Sequence, residues 1–152
     1  MGRIVKIVSV LLMLGLAASF AIPNLILARN RSRQKRTMAY MRDLATALEA
    51  RAEVSGSYSI DGIHGRVHAN DLKKALVPTY IREVPVLDGW GNPFDFSIGD
   101  FDKNGQAQGY LIRSFGSDGR ADATIYASRQ ITKFSDDVVY ANGTFVWFPD
   151  GM

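Results

Sequence analysis

The chain has 152 residues, enough for one domain and an appendage, and its 18 basic and 15 acidic side chains give a formal charge of +3 at pH 7. The charge is unevenly held: residues 1 to 36 carry seven basic side chains and no acidic one, leaving eleven basic against fifteen acidic, a net of −4, for the remainder. This is a basic anchor on an acidic head rather than a generally basic protein, and the lack of any cysteine excludes disulfides, thiol catalysis, cysteine-ligated zinc and a lipidated N-terminal cysteine.

Ile7 through Ala28 contain no charged side chain. As a helix that run is roughly 33 Å long, enough to cross a bilayer core. Three readings compete for it: a permanent anchor, a buried core helix, and a cleaved signal in which Arg3 and Lys6 precede the apolar run and Ser19-Phe20-Ala21 supplies the small residues of a cleavage site. The run exceeds a usual signal core and leads into further helical sequence, which favours the anchor. Pro23 interrupts it; the ring removes one helical hydrogen bond and disfavours helix at Ile22, so a kink or local melting is expected there.

Helical periodicity then resumes. Met38, Met41, Leu44, Ala45, Leu48 and Ala52 recur at three- and four-residue spacing and mark one apolar face, with Arg42, Glu49, Arg51 and Glu53 on others. Gly56 is suited to the left-handed cap that ends the helix. The first 54 residues therefore read as one nearly continuous helix: 1–28 within the membrane, 29–54 basic and amphipathic. Residues 55–152 form a globular head. A glycine-containing loop fills Tyr58 to Asn70, Asn70 caps a short helix to Leu76, and Pro78 stops it. A turn-rich segment, Pro85 to Pro93, surrounds Trp90. From Phe94 the pattern alternates as in strands: Phe94, Phe96 and Ile98, then Tyr110 to Phe115, and last Val138 to Ala141 and Thr144 to Phe148 joined by Asn142-Gly143, the strongest hairpin signal in the chain. The expected class is α+β, a long N-terminal helix packed on a small antiparallel sheet.

The order of these parts is similar to that of the type II secretion pseudopilins, most closely the major pseudopilin class, over nearly the whole chain. Gly15 to Leu25, with its Ile22-Pro23-Asn24-Leu25 step, resembles the second half of that family's N-terminal helix. Leu76-Val77-Pro78-Thr79-Tyr80-Ile81, Val84-Pro85 and Asp88-Gly89-Trp90-Gly91-Asn92-Pro93-Phe94 resemble its stretch before the sheet, and Trp-Gly-Asn-Pro is the most specific of these motifs. Phe115-Gly116-Ser117-Asp118-Gly119 is similar to its Gly-Ala-Asp-Gly loop, and Asp137-Val138-Val139 to its last aspartate-led strand. The chain departs at its start: Gly2 and Lys6 stand at the family's phenylalanine and glutamate positions, and the family's basic leader is not expected here. The family's glutamate neutralises a neighbouring subunit's terminal amine; Lys6 would oppose that amine with a like charge in a low-dielectric core. A specialised subunit at a fibre tip, or a relative that does not polymerise, fits that departure.

The resemblance implies a type IV pilin-like fold, a single span in a bacterial inner membrane with the head in the periplasm, and partners in other pseudopilin subunits and the inner-membrane secretion platform. Charge bias points the other way, since two basic residues precede the span and five follow it, which by the positive-inside rule would place the following segment in the cytoplasm. Helix pairing in lipid depends on close packing, for which Gly15, Ala17, Ala18 and the Pro23 bend are the assembly candidates. The resemblance also implies a calcium ion between the loop bearing Asp118 and the segment bearing Asp136 and Asp137, with Asp122 a further donor and Ser135 where the family often has aspartate; the plain alternative is an Asp-Gly turn and a strand cap.

Other motifs carry less. Asp100-Phe101-Asp102-Lys103-Asn104-Gly105 opens like an EF-hand loop, but Leu111 stands where its bidentate glutamate belongs, so a solvated hairpin connection is expected. His64 and His68 have metal-ligand spacing only on a helix, which the neighbouring glycines argue against. Arg29 to Arg36, beside a span, is expected to meet lipid headgroups or acidic neighbouring subunits rather than nucleic acid. Trp90 and Trp147 are expected to pack in the head. Neither a nucleophile elbow nor a phosphate loop is found, so the expected role is structural and not enzymatic; the alternative is a periplasmic binding protein that never polymerises.

Overall fold

A computed structural model of the chain describes residues 2–101, 103–122 and 127–149, apart from the side chains of Ala17, Ala18 and Phe101. The element order is α1 (Gly2–Ser55), β1 (Gly65–Val67), α2 (Ala69–Leu76), β2 (Asp95–Phe101), β3 (Ala107–Ser114), a 3₁₀ turn (Gly116–Asp118), β4 (Arg129–Ile131), β5 (Val138–Ala141) and β6 (Thr144–Pro149). The chain is thus α+β, one long helix followed by a six-stranded sheet. It divides into two compact units, residues 1–32 and 33–152.

In the first unit α1 is helical from Gly2, and its apolar side chains are exposed, among them Ile4, Leu11, Leu14, Phe20 and Leu25. This is a helix long and apolar enough to cross a membrane. Helix continues without interruption through Pro23, correcting the expectation of local melting there. One lost N–H is a small defect in a 54-residue helix whose neighbouring turns remain hydrogen-bonded.

The second unit begins where α1 acquires a buried side. Gln34, Thr37, Met38, Met41, Leu44, Ala45 and Leu48 are buried, three and four residues apart, as the 3.6-residue period requires of one face. Of these, Met38, Met41, Leu44, Ala45 and Leu48 join Ile60, Leu72, Leu76, Val84, Phe94, Phe96, Ile98, Tyr110, Ile112 and Val138 in a single hydrophobic cluster. Gly56, at φ 73°, takes the left-handed cap, and its N–H donates to the Ala52 carbonyl at 2.7 Å. The short helix α2 starts earlier than expected: His68, not Asn70, is the residue before its first turn, and Asn70 lies inside it. His68 has no side-chain capping bond; the turn is set by the Asp71 and Leu72 N–H groups on the His68 carbonyl. Val77–Pro78 is a cis peptide.

The sheet order is β1-β2-β3-β5-β6-β4. Every pairing is antiparallel except that of the edge strand β4 with β6. Phe96 pairs with Ile112, and Ser114 with Val138, so the inward residues of β2, β3 and β5 form rows across the cluster. Asn142 and Gly143, at φ 46° and 85°, make the two-residue turn between β5 and β6, as their chemistry dictates. Of the Asp100–Gly105 segment, Asp100 and Phe101 belong to β2 itself, Lys103, Asn104 and Gly105 lie in the connection to β3, and Asp102 is outside the described residues. Two strands were not expected, β1 within the 58–70 loop and β4; each has three residues, too few to display a period of two.

Candidate functional site

Both serines in the apolar stretch of α1 bond to their own helix. The Ser9 hydroxyl donates to the Val5 carbonyl at 2.9 Å, and that of Ser19 to the Leu16 carbonyl at 2.7 Å. Neither hydroxyl then asks for water, which suits an apolar environment. A methyl group at Gly15 would meet nothing within 4 Å, so a smooth strip of helix backbone is open there. The side chains of Ala17 and Ala18 lie outside the described residues.

The acidic residues are sorted by the turns that hold them. After β3 the chain makes the Gly116–Asp118 turn, closed by Gly119 at φ 67°. Gly116 has no room for a side chain, because a Cβ would fall on the carbonyl oxygens of Ser135 and Asp136. The loop bearing Asp118 is thereby held against the start of β5. Asp118 is exposed, and its Oδ1 accepts the Arg120 N–H at 3.1 Å. Asp122 and Asp137 bond reciprocally: the Asp137 N–H donates to Asp122 Oδ2 at 2.9 Å, and the Asp122 N–H to Asp137 Oδ2 at 3.3 Å. Asp137 is fully buried, and its Oδ1 has no hydrogen-bond partner among the described residues. Burial pushes its carboxyl up to about 6; the charges of Asp122 and Asp118 add to the rise, while the Asp122 N–H and Arg113 oppose it.

Asp136 points to other work. Its Oδ2 accepts the N–H groups of Thr132 and Lys133 at 3.2 and 3.1 Å and lies 3.9 Å from Arg129, so it closes its own turn. The structure associates Asp118, Asp122 and Asp137 and directs Asp136 elsewhere. Among the described residues no three acidic or histidine side chains stand close enough to hold a metal as they are. His64 and His68 flank β1 rather than sharing a helix face.

Beside the acidic loop runs an ion network that residue types alone did not reveal. Asp95 accepts from Arg66 Nε at 2.6 Å and from Arg113 Nη2 at 2.7 Å, and Arg113 Nη1 reaches to 3.8 Å from Asp137. The Arg113 guanidinium also lies 4.6 Å from the centre of the Phe115 ring. Burial pushes Asp95 up, but the hydrogen bonds from Arg66 and Arg113 outweigh it and leave its carboxyl below the ordinary range. On the far side of the sheet the Tyr110 hydroxyl donates to Glu49 and accepts the Gly143 N–H at 3.1 Å. Glu49 is therefore engaged with the head, not simply on a solvated face. Burial, then the bond to Glu49, raise the Tyr110 hydroxyl far above its usual value.

The Trp-Gly-Asn-Pro segment ties α1 to the acidic loop. Asp88 is buried; its Oδ1 accepts the N–H groups of Trp90 and Asn92 at 2.9 and 2.8 Å, and its Oδ2 the Ser114 hydroxyl at 2.6 Å. The Gly89 N–H donates to the Thr37 hydroxyl at 2.9 Å, and a Cβ on Gly89 would fall on the Arg33 carbonyl oxygen. At the other end Asn92 Nδ2 donates to the Gly116 carbonyl at 2.8 Å. Three residues thus connect the helix backbone to the turn that bears Asp118. Trp90 is half-buried, while Trp147 is in the core with its indole N–H on the Ala127 carbonyl at 2.6 Å.

An open groove of about 800 Å³ lies between α1 and the 80–87 segment, lined by Tyr40, Asp43, Tyr80, Glu83, Val86 and Leu87 among others. Comparison with family models, curated proteins and solved structures finds no match to this chain.

Proposed function

We propose that this chain is a structural subunit of the type IV pilin-like kind, a pseudopilin of a type II secretion system. In this reading it sits in the bacterial inner membrane by a single span, with its head in the periplasm. It assembles with other subunits through the N-terminal helix into a short fibre acting with the secretion platform, and it catalyses nothing. One observation carries the reading. A single helix without a break supplies both an exposed, uncharged stretch of membrane-spanning length and, from Gln34 on, the buried face of a globular head. A cleavable signal has no need of that continuity. Lipid offers no hydrophobic gain for helix pairing, so contacts between spans come from close packing at small residues such as Gly15, Ala17 and Ala18.

The test is the intact mass of the protein extracted from membranes. A mass that includes the apolar stretch is expected. A mature chain beginning at Ile22, after Ser19-Phe20-Ala21, would instead mean a released, non-polymerising head.

The same reading assigns calcium to the acidic loop, with Asp118, Asp122 and Asp137 as its holders and Asp136 left to its turn. The partnerless Oδ1 of buried Asp137 supports this, since a hard cation takes carboxylate oxygens and would relieve the crowding of like charges. Calcium added to chelator-treated protein should raise the melting temperature by several degrees, and Asp137→Asn should abolish the rise. An unchanged melting temperature would remove the ion from the proposal.

A further inference from the structure

We infer that the groove between α1 and the 80–87 segment receives a cationic side chain from the α1 helix of a second copy of this chain, and so acts as a subunit contact on the head. The inference rests on the proposed assembly through the helix and specifies where one head meets its neighbour.

The groove has the features of an arginine or lysine receptor. Tyr40 and Tyr80 supply two half-buried aromatic rings, and Ile81, Val86 and Leu87 an apolar floor. Leu87 is 50% exposed, unusual for a large apolar side chain next to a core. Asp43 and Glu83 are both exposed at the groove and form no ion pair among the described residues; Arg82 is the one cation there. The groove's carboxylates thus outnumber its own positive charge. A guanidinium can lie flat on an aromatic ring while its edge meets a carboxylate, so this combination favours a basic, planar head group.

The complementary charge is on the same chain. Lys35 and Arg36 are exposed on α1 and also form no ion pair among the described residues. They do not pair with Asp43 in their own copy, where they lie eight and seven residues before it, about 10–12 Å along the helix axis. A parallel neighbour displaced by that distance, about two helical turns, brings its Lys35 and Arg36 level with Asp43. Such a displacement is a head-to-tail contact, which repeats to build a fibre rather than closing into a dimer.

The absence of cysteine makes the test clean, since any introduced thiol is the only one in its chain. Full-length chains carrying Glu83→Cys and Arg36→Cys are co-expressed in membranes and oxidised, with another pair, Ile4→Cys and Leu11→Cys, co-expressed separately to report helix association, since the same seven-residue stagger sets Ile4 of one copy level with Leu11 of the next. A mixed disulfide in both pairs is the expected result. The Ile4–Leu11 product without the Glu83–Arg36 product would overturn the groove contact while leaving assembly through the helix intact. No cross-link in either pair would overturn both. As a second measurement, Asp43→Lys with Glu83→Lys should lower Ile4–Leu11 cross-linking roughly fivefold, and adding Lys35→Glu with Arg36→Glu should restore it. A loss that the second pair leaves uncorrected would show the groove serving some other partner, and would reject the inference.

Discussion

Gly89 is the point at which one missing atom decides how head and helix fit. Its N–H donates to Thr37, and the space a methyl group would need is filled by the Arg33 carbonyl. Gly89→Ala should therefore cost about 2 kcal/mol or more through a backbone clash that no rotamer can relieve. Urea denaturation in detergent would show this as a lower midpoint. Gly91→Ala, at φ 94° but with nothing within 4 Å, serves as the comparison for strain without collision. Asp95 makes a pH prediction of definite sign. Its folded pKa lies below the unfolded value, because two arginines hold its charged form. The stabilisation is therefore complete above about pH 4 and disappears as the pH falls through the folded value. Urea midpoints measured from pH 6 to pH 3 should fall more steeply for the wild-type protein than for Asp95→Asn. Equal slopes would mean the arginine pairs add nothing to folding.

At the scale of elements, the C-terminal hairpin shows how a turn can hold more than its own two strands. Asn142 adopts a positive φ, and its side-chain oxygen also accepts the Tyr110 N–H from β3 at 2.8 Å. Asn142→Ala should lose both, at about 2 kcal/mol, whereas Asn142→Gly keeps the backbone and should lose about 1. A pair of thermal melts separates the two contributions; equal losses would assign everything to the hydrogen bond. This hairpin was legible in the sequence because Asn-Gly specifies a turn and the flanking residues are β-branched and aromatic. The strands β1 and β4 were not, because partners distant in sequence create them: Arg66 of β1 pairs with Asp95, and β4 is aligned along β6 by Arg129 beside Trp147. The start of α2 was misplaced for a related reason. Asn70 has good capping chemistry, but the chain leaving β1 enters the helix before reaching it.

For the whole molecule, three local patterns were legible: the uncharged run and the periodic face both lie in helix α1, and the strand-like runs fall on strands β2, β3, β5 and β6. The candidate site was legible only in part. The sequence supplied Asp118, Asp136 and Asp137 as a group, but adjacent residues point in different directions. The structure spends Asp136 on Thr132 and Lys133 while burying Asp137 beside Asp122. Nor does spacing reveal that Arg113 bridges Asp95 to Asp137, since those three residues meet only when β2, β3 and the start of β5 lie side by side.

Pro23 has a consequence for the apolar stretch that its intact helix conceals. With no N–H to offer, it leaves the carbonyl of Ser19, four residues earlier, without its usual donor. In hydrocarbon an unanswered carbonyl costs several kcal/mol. In the proposed membrane-spanning role, the side of the helix bearing Ser19 is expected to turn away from acyl chains toward a hydroxyl, a water or an adjoining span. A single ring on one residue would there give an otherwise uniform greasy rod a preferred rotation about its own axis.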